Sequence, residues 1–328
     1  MLYFVQVGEI MIKKINQVIK DTALPIYIAG HLKPDQDSIC SSLALAKHLE
    51  SLQKEVYVLL DKNDIGVIDW LNEARFIVNE VNHDKYAFIA LDINEKKRLG
   101  RYEDSFNKAS LTINIDHHEG NNNEADYIYS DSKMSSTCEM IYELIKLNQQ
   151  EIDEYIANNL YSGIVNDTNL FSRRLSNSTL IIAQDLINYG ANYSYIIQKT
   201  LKERSLYEFK ALAKLINEIE YDEFHYVIID KNDPVYSSLT HNQIVKKIAE
   251  DLRTIEGMDV FILLIKDKDT IVSKCMSNIS ANADKIACLF GGGGHKKEAG
   301  FTIKNVPVED ILKEIKNYIK ITKVERTR

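Results

Sequence analysis

The sequence predicts an α/β protein of two domains, the first built on a mostly parallel sheet flanked by helices. Three observations carry this expectation. A chain of 328 residues with 45% hydrophobic content can bury a large core, and domains of roughly 100–200 residues make two the natural number. Short apolar runs alternate with segments of helical periodicity up to about residue 190. A second series of strand-like runs follows a long stretch rich in Lys, Glu, Leu and Ala.

Taken in order, Ile12-Lys-Lys-Ile-Asn-Gln-Val-Ile19 opens a helix, which makes Met11 a candidate start and residues 1–10 an extension. Residues 26–30 read as a strand, 38–52 as a helix with Ile39, Leu43, Ala46 and Leu49 on one face, and 56–60 as a strand. This is βαβ punctuation. Residues 87–91 and 111–115 continue the strands, and helices follow at about 136–147, 151–165 and 178–189. The expected division is a first domain over 1–192, a helical linker over 193–215 and a second domain over 216–328. Within the last, 226–230, 260–265, 270–275 and 301–304 read as strands, and 243–254, 282–289 and 308–321 as helices.

Several classes of function are disfavoured. Cys40, Cys138, Cys275 and Cys288 lack paired spacing, so neither a disulfide framework nor a zinc ribbon is indicated and a reducing cytoplasm is expected. The N-terminus carries no basic leader with an apolar run and cleavage site, and no stretch reaches ~18 uninterrupted apolar residues, so neither export nor a membrane span is expected. A net charge of −8 argues against an extended grip on duplex DNA, because such affinity comes from many cations on phosphates. It leaves room for a short RNA or a nucleotide.

Four segments in the first 170 residues carry the chemistry: His31-Leu-Lys-Pro-Asp35-Gln-Asp37, Asp92, Asp116-His117-His118, and Gly163-Ile-Val-Asn-Asp167-Thr168. Each follows a stretch that reads as a buried strand, and parallel sheets gather ligands at the carboxyl ends of strands. Oxygen and imidazole donors in this number suit two hard divalent cations sharing a carboxylate. A single Asp after a strand is more often a turn former or helix cap; the set of four, in order, outweighs that reading. His48, His83, His225 and His241 lack such company and read as packing or surface residues. Farther on, Phe290-Gly-Gly-Gly-Gly294-His295-Lys-Lys-Glu-Ala-Gly300 could turn successive backbone N–H groups toward an anion, with His295, Lys296 and Lys297 adding charge.

These segments resemble the DHH phosphoesterase superfamily, named for the triplet seen here as Asp116-His117-His118, and the glycine run resembles the substrate-binding motif of the DHHA1 domain. The pair is most similar to the nanoRNase and pAp phosphatase group, over roughly residues 25 to 320. The resemblance implies a DHH domain, a linker helix and a smaller α/β DHHA1 domain, with the active site in the cleft between domains. It also implies two divalent cations, Mn2+ foremost, with Mg2+ or Co2+ as other candidates. His31 and Asp35 would hold one ion, Asp37, His117 and Asp167 the other, and Asp92 both. His118 would contact the scissile phosphate or protonate the leaving group without binding metal, and Asp116 would orient His117. Gly292, Gly293, Gly294, His295 and Lys274 would bind substrate: short oligoribonucleotides, linear dinucleotides or 3′-phosphoadenosine 5′-phosphate. A homodimer is the expected assembly, being commonest among soluble proteins.

Two departures stand out. Where the group carries an arginine before the glycine run, Ser273-Lys274-Cys-Met-Ser277 offers only a point charge, without a guanidinium fork. Glu298 stands where a small residue is common. The opening motif also resembles that of family II inorganic pyrophosphatases, so a pyrophosphatase or exopolyphosphatase-like hydrolase is one alternative. A non-catalytic nucleotide-sensing protein is another.

Overall fold

The computed structural model describes residues 2–61, 74–148, 152–202, 205–237, 239, 244, 249–252, 255–277 and 282–326. The chain divides into two compact units, Met1–Glu203 and Arg204–Arg328, a boundary inside the stretch read as a linker.

In the first unit α1 (Leu2–Asp21) begins at Leu2, earlier than the apolar spacing suggests, and sends Ile12, Ile15 and Ile19 into the core. There follow β1 (Ile26–Ala29), α2 (Gln36–Ser51), β2 (Val56–Leu59), β3 (Ile77–Val78), β4 (Ala87–Leu91), α3 (Glu103–Lys108), β5 (Leu111–Asp116), β6 (Tyr127–Ser130), α4 (Thr137–Lys146), α5 (Glu154–Asp167), α6 (Thr179–Asn188) and α7 (Tyr193–Ile197). The strands form one sheet in the order β3-β2-β1-β4-β5-β6, every pair parallel. Side chains alternate across it. Ile26, Ile28, Ile89 and Ile113 join α1, α2, α4 and α5 in one core, while Tyr27, Ala29, Phe88 and Ala90 pack with Leu99 and Phe106 on the other face. Burial on both faces explains why these strands read as unbroken apolar runs.

The chain leaves β1 for β2 and β3 on one side, then returns to place β4, β5 and β6 on the other. Loops at the carboxyl ends of β1 and β4 therefore diverge, which opens a crevice where open α/β sheets bind ligands.

The second unit comprises α8 (Leu206–Asn217), β7 (Glu220–Tyr221), β8 (His225–Asp230), α9 (Pro234–Ser237), α10 (Ala249–Leu252), β9 (Val260–Asp267), β10 (Thr270–Ser277), α11 (Ala283–Cys288), β11 (Gly293–His295), β12 (Glu298–Gly300), β13 (Thr302–Lys304) and α12 (Val308–Arg326). Its sheet runs β11-β12-β10-β9-β8-β7, with β13 also on β10; only β8 and β9 pair in parallel among the described strands. Ala211 and Leu215 of α8 cover one face, and Ile311, Ile315 and Ile319 of α12 the other. α8 lies in the predicted linker, yet it starts with its own capping box, Ser205 with Glu208, and its apolar stripe belongs to this core. The helix expected over 243–254 lies partly outside the described residues, as does His241. No helix among the described residues is long and apolar enough to cross a membrane.

His48 packs inside the first unit, 1% exposed, its Nε2 accepting from Asn148 Nδ2 at 2.7 Å. Burial, and then Lys20, push its pKa down to about 4. The unfolded imidazole takes up a proton near pH 6.5, whereas the folded one refuses it until about pH 4, so stability falls as pH drops through that window. The full loss is on the order of 3 kcal/mol. Urea unfolding near pH 7.5 and near pH 5 should show this loss developing in the native chain and largely absent in His48→Gln; equal slopes would contradict it.

Candidate metal centre

Each side chain of the centre is placed by an element end. His31 lies just past β1; its Nδ1 donates to the Leu32 carbonyl at 2.9 Å, leaving Nε2 to face Asp92 Oδ2 at 3.6 Å and Asp35 Oδ1 at 3.8 Å. Asp35 and Asp37 sit at the helix start, α2 beginning two residues before the helix expected over 38–52. Asp35 caps α2 by accepting from Ser38 N, and Asp37 occupies the first turn. Asp37 is fully buried, its two oxygens accepting from Thr137 N at 2.7 Å and Cys138 N at 2.9 Å in the first turn of α4. A helix N-terminus favours a carboxylate there. Gly163 lets α5 approach: a Cβ on it would lie 2.2 Å from Cys138 Sγ and 2.8 Å from Asp37 Oδ1.

Asp92 follows β4 with φ of +60°, a left-handed conformation that a non-glycine residue holds only under constraint. The constraint is Asn114, which sequence reasoning passed over. This fully buried side chain donates from Nδ2 to Ala90 O at 3.2 Å and Ile93 O at 3.0 Å, bracketing Asp92. Thr137 Oγ1 adds a bond to Asp92 Oδ1 at 3.0 Å. Asn121 Nδ2 then links Asn114 Oδ1, at 2.8 Å, to Asp116 Oδ2, at 2.9 Å.

Asp116 orients His118, not His117 as expected: His118 Nδ1 donates to Asp116 Oδ1 at 2.7 Å. Alternation along an extended backbone puts residues two apart on one side, so the aspartate ending β5 meets the second histidine. The two imidazoles lie 4.7 Å apart between ring centroids. His117 Nε2 stands 3.2 Å from Asp167 Oδ2 and 3.5 Å from Asp92 Oδ1, and its buried ring nitrogens make no hydrogen bond. Asp167 does not follow a strand, contrary to expectation; it is the last residue of α5.

The electrostatics show a shortage of positive charge. Burial, then Asp167 and Asp92, push Asp37 well above the ordinary carboxylate range. Burial also raises Asp167 against the lowering effect of His117. For His117 burial works downward, but the carboxylates of Asp167 and Asp92 outweigh it and hold the imidazole well above its usual pKa; Asp35 and Asp92 do the same, less strongly, for His31. Protons here occupy the role that cations would take. Oxygen and imidazole donors fit hard divalent ions. The Cys138 thiol beside Asp37 is no competitor, since burial pushes its pKa well up.

In the second unit the glycine run forms the β11 hairpin in place of an open cradle. Gly293 pairs with Gly300 and Gly294 with Ala299. A Cβ on Gly292 would lie 2.2 Å from Gly300 O, and one on Gly294 2.5 Å from Ala299 Cα, whereas Gly293 faces open space. The His295 side chain lies outside the described part. Lys274, 8% exposed, is ion-paired with Glu298, so its charge is already compensated.

Asn114→Asp keeps the acceptor for Asn121 but turns an oxygen toward two carbonyls. Stability should drop by about 1–3 kcal/mol and divalent-ion affinity at least about tenfold; unchanged affinity in a calorimetric titration would remove the bracketing role.

Residues 25–164 match the model of the DHH family N-terminal domain, and residues 226–321 that of the DHHA1 domain. The bifunctional oligoribonuclease and PAP phosphatase NrnA of Thermus thermophilus is 27% identical over 313 residues, 92% of this chain and 91% of that protein. The cyclic-di-AMP phosphodiesterase GdpP of Bacillus subtilis is 26% identical over 321 residues, 90% of this chain but 47% of that protein, so the chain spans about half its length. Among solved structures, an exopolyphosphatase-related protein from Bacteroides fragilis shares the fold with a TM-score of 0.84 at 20% identity, over 96% of this chain and 98% of that one. RecJ of Thermus thermophilus, solved with Mn2+, aligns with a TM-score of 0.57 at 12% identity, over 94% of this chain and 54% of that one. This chain carries a DHH family N-terminal domain followed by a DHHA1 domain.

Proposed function

We propose that the chain is a phosphoesterase that uses two divalent cations, Mn2+ foremost, to hydrolyse short oligoribonucleotides or linear dinucleotides and 3′-phosphoadenosine 5′-phosphate. One observation carries the reading. The donor atoms of His31, Asp35 and Asp92 lie within 4.8 Å of one another, and so do those of Asp37, His117 and Asp167. Asp92 Oδ1 stands 3.5 Å from His117 Nε2, which joins the two sets through one carboxylate. Cations held there would activate water and take up charge on the phosphoryl oxygens.

The chain's own groups do the rest. Asp37, anchored on α4, and Asp92, bracketed by Asn114, hold fixed positions without reorganising when charge develops. Asp116 holds Nδ1 of His118, so the proton available to a leaving oxygen sits at Nε2. Burial opposes ionisation of Asp116, but the His118 bond prevails and keeps its pKa below the ordinary carboxylate value, ready to stabilise the imidazolium. In the second unit the exposed backbone at Gly293, with Gly292, Gly294 and His295, is assigned to substrate. Lys274 serves there as half of an ion pair with Glu298. The substrate class draws on NrnA and GdpP, whose names describe oligoribonucleotide, PAP and cyclic dinucleotide chemistry.

The test offers purified protein and Mn2+ a 5′-phosphorylated diribonucleotide, 3′-phosphoadenosine 5′-phosphate and inorganic pyrophosphate side by side. Hydrolysis of a nucleotide is expected, reduced at least about 1000-fold in Asp92→Ala. Turnover of pyrophosphate alone would overturn the substrate class, and a native rate in Asp92→Ala would overturn the two-ion arrangement.

A further inference from the structure

A cavity of about 100 Å3 opens in the first unit at the carboxyl ends of β1 and β2, and the chemistry above does not use it. His31 forms part of its wall, so the cavity adjoins the donor set of His31, Asp35 and Asp92 at that one residue. The volume falls well below the ~300 Å3 at which sites for drug-sized ligands begin. That size is in keeping with a single ring system rather than a drug-sized ligand.

The lining has two characters. Leu60 and Leu99 give apolar walls, while Asp61, Arg101 and Tyr102 give a polar rim. Arg101 Nη1 lies 3.1 Å from Asp61 Oδ2, and its other amino group donates to the Tyr102 hydroxyl. Arg101 is thereby compensated by Asp61, Lys33 adds a cation to the lining, and the rim offers donors and acceptors to a ring edge. The rim is also built to hold its place. Gly100 takes φ of +57°, where a Cβ would lie 3.1 Å from Leu32 Cδ1, and Leu32 N donates to Arg98 O at 2.6 Å. These contacts tie the loop bearing His31 to the turn bearing Arg101 and Tyr102.

We infer that this cavity is a base subsite, taking the nucleobase of the nucleotide whose phosphate lies at His31 and Asp92. The ring faces meet leucine, and the ring edge meets the Asp61 carboxylate and the Arg101 and Tyr102 donors. The inference rests on the nucleotide reading above.

The test compares kcat/KM, with Mn2+, for a 5′-phosphorylated diribonucleotide and for counterparts carrying an abasic ribose at either position. The native chain should favour the complete dinucleotide at least about tenfold, chiefly through KM. Arg101→Ala and Tyr102→Ala, both at the partly exposed rim, should bring that ratio toward one, with melting temperatures confirming that each is folded. A ratio unchanged in both variants, or no discrimination by the native chain, would overturn the subsite while leaving the phosphoesterase reading intact. Variants that instead relieve inhibition by inorganic phosphate, without altering the ratio, would make the cavity an anion site and overturn the base assignment. No turnover of any of these substrates by the native chain would overturn the nucleotide reading and the subsite with it.

Discussion

Gathering several carboxylates at one end of a parallel sheet is the constraint to which the rest of the first unit answers. Asp37 is buried without exposure and Asp92 almost so, with Asp35 and Asp167 beside them. Like charges so placed raise one another's pKa unless something positive intervenes. Part of the answer is in the fold: two backbone N–H groups at the start of α4 take both oxygens of Asp37. That contact needs α5 close by, hence a glycine at 163. The remainder of the charge balance is left to protons or to cations, and a site that can exchange one for the other binds metal with a pH dependence.

Asp92 shows a second cost of the same arrangement. Reaching the centre from the end of β4 requires a left-handed residue, and such strain persists only where the surroundings over-determine it. Asn114 supplies that determination from the neighbouring strand, and Asn121 extends it to Asp116 and so to His118. The carboxylate that stands between His31 and His117 and the imidazole beside Asp116 thus hang on one hydrogen-bond chain. In the second unit a similar economy governs the hairpin. Glu298 opposite His295 pairs with Lys274, so the side chain that could repel an anion is spent on a neighbouring lysine.

Much of this was legible in the sequence, for physical reasons that differ by element. β1, β4 and β5 could be read because parallel strands covered on both faces are uniformly apolar. The donor residues could be read because hard-cation chemistry admits few side chains and the segments come in order. β3, of two residues, and β6, Tyr127-Ile-Tyr-Ser130, carried too short or too polar a signal. Asn114 was invisible because an asparagine in a strand announces no partner; its role exists only once β4 and β5 are side by side. Asp167 was misplaced for a related reason, since an apolar run before an aspartate does not say whether it is strand or helix. Four glycines in a row suggested an open loop, while the tight crossing of β11 on β12 that demands two of them depends on pairing that sequence alone does not display.

The central claim is that one carboxylate, Asp92, joins two cation sites. The most direct measurement is diffraction at the manganese absorption edge from crystals grown with Mn2+. The account predicts two anomalous peaks, one beside His31, Asp35 and Asp92 and the other beside Asp37, His117 and Asp167, with Asp92 reaching both. A single peak, or two that Asp92 does not touch, would contradict it.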